Sequence, residues 1–180
     1  MSERPPNETT NLDRYGNEPL PWSRARGLLA ATGRAKDTWY LGTTTPAGRP
    51  HATGVGALWH EGELYFTSGA TTRKSRNLAR NPAASLSISL EGLDLVFEGD
   101  VTRITDSTTL ETVAHRYREG GWPVSAAEDA LTAPFSAPSA GAPPWQVYRL
   151  GFDTVYGVAT EEPNGATRWR FDSSERSPAG

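Results

Sequence analysis

Residues 83–90, AASLSISL, set Leu86, Ile88 and Leu90 against Ser85, Ser87 and Ser89 in strict alternation. A period of two puts apolar side chains on one face and hydroxyls on the other, the pattern of a half-buried strand. EGLD then turns the chain, and LDLVFEGDVTRI runs on as a long strand. Shorter runs precede this pair: TWYLGTTT, a turn at Pro46 and Gly48, HATGVGALWH, a turn at EGE, and LYFTS. WQVYRLGFDTVYGVA and TRWRF close the series. Roughly six or seven strands at such spacing, with few helices, predict a mainly β chain folded as a barrel or sandwich.

Three helices interrupt the strands. PWSRARGLLAATG has Pro21 suited to its start and Gly33 to its end. TTRKSRNLARN can be capped by Thr71 or Thr72 and stops before Asn81-Pro82. DSTTLETVAHRYREGG has Asp106 as its cap and Gly120 past its end. Residues 1–20 are polar, carry Pro5, Pro6 and Pro19, and read as a mobile N-terminal tail. The domain then spans 21–172, and 173–180 form a C-terminal tail. Residues 123–144 are rich in Ala, Ser and Pro and lack periodicity; long loops of this kind often carry function. Within them, TAPFSAPSAGAPPW reads either as a wall over a ligand, with Trp122 nearby, or as a wrap around the barrel.

Several chemistries drop out. The 180 residues contain no cysteine, which removes disulfides, thiolate catalysis and cysteine-ligated metals. His51, His60 and His115 are widely spaced and form no paired metal motif, so no metal site is expected. A net charge of -3 gives no general reason for nucleic acid or an acidic membrane surface as partner. No apolar run approaches the ~20 residues of a membrane span, and the start lacks an apolar signal segment. A soluble, cytoplasmic protein is the expectation. SGATTRKS has Ser68 and Arg73 where a P-loop needs glycines, and GVGALW has Trp59 where a dinucleotide fingerprint needs its third. No Gly-x-Ser-x-Gly elbow is present.

The basic helix is harder to dismiss. Arg73, Lys74 and Arg76 crowd its first turns, where the helix dipole disfavours cations. A solvated charged face is one explanation. The other is a bound anion, because orphan amides, cations and the hydroxyls of Thr67, Ser68, Thr71 and Thr72 together suit a phosphate monoester.

The ordered set GRPH, LYFTS, TRKSRNL, NPAASLSI and FEGDVTRI, spanning Thr38 to Ile104, resembles the pyridoxamine 5′-phosphate oxidase-like FMN-binding split β-barrel family. That family includes FMN-binding members and reductases that use the deazaflavin coenzyme F-420. The resemblance implies a homodimeric split β-barrel with FMN or F-420 at the subunit interface and hydride transfer to or from a small organic molecule. A non-catalytic flavin or haem binder on the same barrel is the alternative. By the same resemblance, His51, Ala52, Thr53, Gly54 and Val55 lie along the cofactor ring. Phe66 and Thr67 touch ring and phosphate, and Thr72, Arg73 and Lys74 hold the phosphate. Asp94 stands where FMN-dependent oxidases carry a glutamine, which is a departure. Gly54 and Gly56 suit close backbone approach, though glycine also serves a bulge or bend. No catalytic residue is assigned; Tyr117 and His51 have only the chemistry of a proton donor.

Overall fold

The computed structural model describes residues 5–32, 37–138 and 140–172. The expected helix end at Gly33 and the C-terminal tail 173–180 lie outside the described residues. The chain order is β1 (Glu8–Asn11), α1 (Trp22–Ala30), β2 (Trp39–Thr44), β3 (Pro50–Val55), β4 (Ala57–His60), β5 (Glu63–Gly69), α2 (Arg73–Leu78), β6 (Ala83–Leu90), β7 (Leu93–Ile104), α3 (Ser107–Glu119), β8 (Ser125–Ala127), β9 (Ala130–Thr132), β10 (Trp145–Ala159) and β11 (Ala166–Arg170).

The strands form one antiparallel sheet in the order β1-β11-β10-β7-β6-β2-β3. The alternating run is β6, paired with β7 from Leu90↔Leu93 to Ala83↔Asp100. Leu86 and Ile88 turn inward with Leu95 and Phe97, while the serines face outward. β10 changes partner along its length. Its first half pairs with β5 and its second half with β11, while β7 flanks both. The change falls at a bulge between Phe152 and Thr154. There Gly99 of β7 approaches so closely that a Cβ would stand 2.2 Å from the Gly151 carbonyl oxygen. Only glycine tolerates that approach.

Two cores result. One fills the barrel with Trp39, Leu41, Leu86, Phe97, Val155 and Trp169. The other lies under α3 and gathers Tyr65, Leu110, Val113, Tyr117, Trp145 and Val147. β5 and the first half of β10 separate the two, so β5 is buried on both faces from Leu64 to Gly69. This is why LYFTS reads as a continuous run and β6 as an alternating one. Large aromatics fill the protomer's own interior: Trp39, Trp145 and Trp169 are fully buried, and Trp22 packs on Trp169 at 5.3 Å.

The N-terminal segment departs from the expected mobile tail. β1 pairs with β11 from Glu8↔Arg170 to Asn11↔Thr167. Leu20 is 2% exposed, and its backbone N–H donates to Thr167 Oγ1 at 2.7 Å. The segment is held by ladder hydrogen bonds and one apolar anchor, so its polar composition hides its place in the sheet. HATGVGALWH also divides in two. Among the described residues β3 pairs only with β2 and β4 only with β5, with Gly56 between them.

Leu20→Ala should lower stability by about 2–5 kcal/mol, the usual range for a buried leucine. Deleting residues 1–11 should lower the melting temperature as well. Thermal melts that leave both proteins at the parent value would contradict this packing.

Candidate functional site

The short helix α2 follows β5 directly, and Thr72 is its cap. The Ser75 backbone N–H donates to Thr72 Oγ1 at 3.3 Å. Three hydroxyls close a triangle at this junction. Ser68 and Thr72 lie 2.8 Å apart, Thr72 and Ser75 3.1 Å, and Ser75 and Ser68 2.8 Å. Ser75 Oγ also donates to the Gly69 carbonyl at 2.9 Å. The hydroxyls expected to be offered outward at Ser68 and Thr72 are thus engaged in building the turn.

The cations of α2 part company. Arg73 and Arg76 are exposed, and Arg76 folds back to donate to the Thr71 carbonyl at 2.7 Å. Lys74 is only 4% exposed. It shares a helix face with Asn77 and Leu78, and Leu78 enters the barrel core. Burial holds the Lys74 ammonium below its ordinary value. A solvated face therefore describes Arg73 and Arg76 and not Lys74.

Asn77 ties α2 to the sheet. Its Nδ2 donates to Thr43 Oγ1 at 3.0 Å, and that hydroxyl donates to the His51 carbonyl at 3.4 Å. Lys74, Asn77, Thr43 and His51 are thereby brought into one neighbourhood. Along β3, register with β2 puts His51, Thr53 and Val55 on the face of Thr43, Leu41 and Trp39. Ala52 and Gly54 point to the outer face. Neither Gly54 nor Gly56 is demanded by packing within the chain. A Cβ would meet nothing within 4 Å at Gly56, and only the Trp39 carbonyl at 4.0 Å at Gly54. Both glycines leave room beside the backbone for a side chain that the sequence does not supply.

The other expected contacts are distributed differently. The Phe66 side chain is fully buried and stacks on Tyr148 at 5.2 Å. Its strand pairs there with both β4 and β10, so the Phe66 side chain is occupied by the core. Thr67 points toward the second core, on the face of Tyr65 and Val147 and near Tyr117. Adjacent strand residues face opposite ways, so the Thr67 side chain parts from the Ser68 triangle. Asp94 lies near the β6–β7 turn and accepts from Ser89 Oγ at 2.6 Å. It sits four residues beyond Glu98, which shares a level with Ser85 and Gly42. At about 3.3 Å per residue, that is roughly 13 Å along the strand from the β2 end next to α2. One protomer does not bring Asp94 to Lys74.

Tyr117 is not placed as a proton donor. It is 8% exposed, its hydroxyl donates to the Gly56 carbonyl at 2.9 Å, and burial pushes the phenol far above its ordinary value. The TAPFSAPSAGAPPW segment packs against the rest of the chain at both its ends. Phe135 lies 6.1 Å from Trp145, and Trp122 lies 5.1 Å from the same ring, so the segment is anchored in the second core. Its Ala140 carbonyl also presses on the β5–α2 junction, where a Cβ on Gly69 would stand 2.3 Å from that oxygen.

A family model described as pyridoxamine 5′-phosphate oxidase matches residues 29–159. The chain belongs to that family. Solved structures agree on the fold. A pyridoxamine 5′-phosphate oxidase-related, FMN binding protein from Nostoc punctiforme PCC 73102 superposes with a TM-score of 0.60 at 17% identity, covering 86% of this chain and 93% of that one. A nimc/nima family protein from Clostridium acetobutylicum gives 0.56 at 16% identity, covering 81% and 90%. PhzG from Burkholderia lata 383, solved with tetrahydrophenazine-1-carboxylic acid, gives 0.54 at 15% identity, covering 84% of each chain. No curated protein matches the sequence. Among the described residues, no helix is long and apolar enough to cross a membrane.

Lys74 in this family member carries a pH signature. Its folded pKa lies below the unfolded value of 10.5, so between the two the unfolded chain binds more protons. The contribution of Lys74 to stability therefore rises with pH across that window and is flat below it. Denaturant unfolding at stepped pH should show the parent gaining stability relative to Lys74→Met as pH climbs toward 10.5. Parallel curves would contradict a desolvated Lys74.

Proposed function

We propose that this protein binds FMN or the deazaflavin coenzyme F-420 by its phosphate at the β5–α2 junction, with the ring along β3, and acts as an oxidoreductase on a small organic molecule. One observation carries the reading: a lysine only 4% exposed at the start of a helix tied through Asn77 to β2, whose ladder neighbour is the His51–Val55 strand. Electrostatic attraction strengthens where water is excluded, and a phosphate is the ligand class that gains most from a desolvated cation. Arg73 stands exposed beside Lys74 and adds a second, planar donor set. The open backbone at Gly54 and Gly56 fits a flat ring approaching from outside. When bound, the cofactor supplies the hydride chemistry; the protein holds it, orients it and excludes water. The segment around Phe135 and Ala140 walls the same junction.

A homodimer belongs to this reading. The outer sheet face carries Tyr40 at 55% and Val158 at 51% exposure, flanked by Gly42, Ser85 and Ser87. Asp94 lies on that face too, by its pairing with Ser89 and Val158. A second copy covering this face buries its aromatic and small residues. It also lets Asp94 reach the partner's cofactor, which it cannot do within its own protomer.

Titration of FMN and of F-420 against the parent, Arg73→Ala and Lys74→Ala tests the proposal. A charge-assisted contact contributes about 1.5–3 kcal/mol, so each variant should bind roughly tenfold or more weakly. Arg80 lines a separate cleft of about 490 Å³ with Thr44, Thr45, Pro46 and Gly48, and Arg80→Ala should bind like the parent. Parent-like binding by both α2 variants would place the cofactor elsewhere. Anaerobic mixing of the loaded protein with candidate electron acceptors distinguishes an enzyme from a binder.

A further inference from the structure

We infer that Tyr117 is a positioning residue that sets the spacing between β3 and β5, and so the width of the slot the cofactor ring enters. The inference rests on the cofactor reading above. Its basis is where the ladder ends. β4 pairs with β5 as far as Ala57↔Phe66, and among the described residues β3 pairs with β2 alone. Gly56 belongs to neither ladder, and from it β3 and β5 part. Beyond Phe66, the residues Thr67 to Gly69 retain β10 as their ladder partner.

At the point of divergence, one side chain spans the gap. The Tyr117 hydroxyl donates to the Gly56 carbonyl at 2.9 Å and lies beside the Thr67 side chain, one step past the Ala57↔Phe66 pair. It thereby fixes the last residue of the ring-bearing stretch to the strand that leads into the phosphate junction. The phenol comes from α3, whose face is rigidly packed: Tyr117 meets Trp122 edge-on at 5.0 Å, and Trp122 packs on Trp145 at 5.1 Å. Removing the oxygen leaves this ring packing in place and releases both strands at once. The Gly56 carbonyl loses its phenol donor and the buried Thr67 side chain loses its neighbour, which favours local rearrangement at the apex of the slot. Tyr117 touches neither the ring nor the phosphate in this arrangement; it acts through Gly56 and Thr67.

Tyr117→Phe is the test, with Thr167→Val as the matched control. Thr167 is fully buried and accepts from the Leu20 backbone, so its loss removes a buried hydrogen bond near β1 and not near the slot. Melting temperature, cofactor affinity and the visible spectrum of bound cofactor are measured for the parent and each variant. Tyr117→Phe should bind about five- to tenfold more weakly, as loss of a neutral hydrogen bond gives, and should shift the bound spectrum. Thr167→Val should lower the melting temperature while affinity and spectrum stay at parent values. Thr67→Val cuts the other arm of the bridge without touching α3. It should speed amide hydrogen exchange at residues 51–57 but not in β11. Parent-like affinity and spectrum in Tyr117→Phe overturn the inference, as does unchanged exchange in Thr67→Val should Tyr117→Phe fail to fold. A parent that binds neither FMN nor F-420 defeats the cofactor reading itself, a result visible before any variant is made.

Discussion

The close approach of β7 and β10 at Gly99 organises the molecule. These are the two longest strands, and their pairing runs nearly end to end across the bulge at Phe152 and Thr154. A side chain at Gly99 would strike the Gly151 carbonyl and the Phe152 backbone. The bend lets β10 serve β5 in its first half and β11 in its second. It also creates a strand layer with a core on each side. Everything at the candidate site is hung from that layer: β5 delivers Ser68 and Gly69 to the start of α2, and α3 packs behind β5 to deliver Tyr117.

From this arrangement follows a division of labour between the two cores. The barrel core holds β2 and β3 through Trp39, Leu41 and Val55, and receives Leu78 of α2. The core under α3 supports the back of β5 and anchors the segment that carries Phe135 and Ala140. The β5–α2 junction lies where the two meet. Burial at that seam desolvates Lys74, and a desolvated cation discriminates for anions more strongly than an exposed one.

The sequence made the regular parts of this structure readable. Alternation marked β6, the Asp106 and Thr72 caps marked α3 and α2, and turn chemistry separated the hairpins. Three features escaped for physical reasons. β1 is polar and is held by backbone pairing, which leaves no trace in side-chain hydropathy. β8 and β9 span three residues each, too short for any period to show. The hydroxyls of Ser68 and Thr72 looked available because composition reveals donors and not their existing partners. Lys74 is the reverse case. Its type says solvated surface, and only its place on the inner face of α2, beside Asn77 and Leu78, buries it. The i, i+3, i+4 spacing of Lys74, Asn77 and Leu78 held that signal, had Asn77 been taken as inward-facing.

Phosphate recognition at the β5–α2 junction is tested most directly by ligands that differ in that group alone. Calorimetric titration of FMN and riboflavin, and of F-420 and its phosphate-free chromophore, isolates it in the intact protein. At least one phosphorylated ligand should bind roughly tenfold or more tightly than its phosphate-free counterpart, the contribution of one charge-assisted contact or more. Equal affinity within each pair would contradict a phosphate site at Arg73 and Lys74, whatever the ring itself contributes.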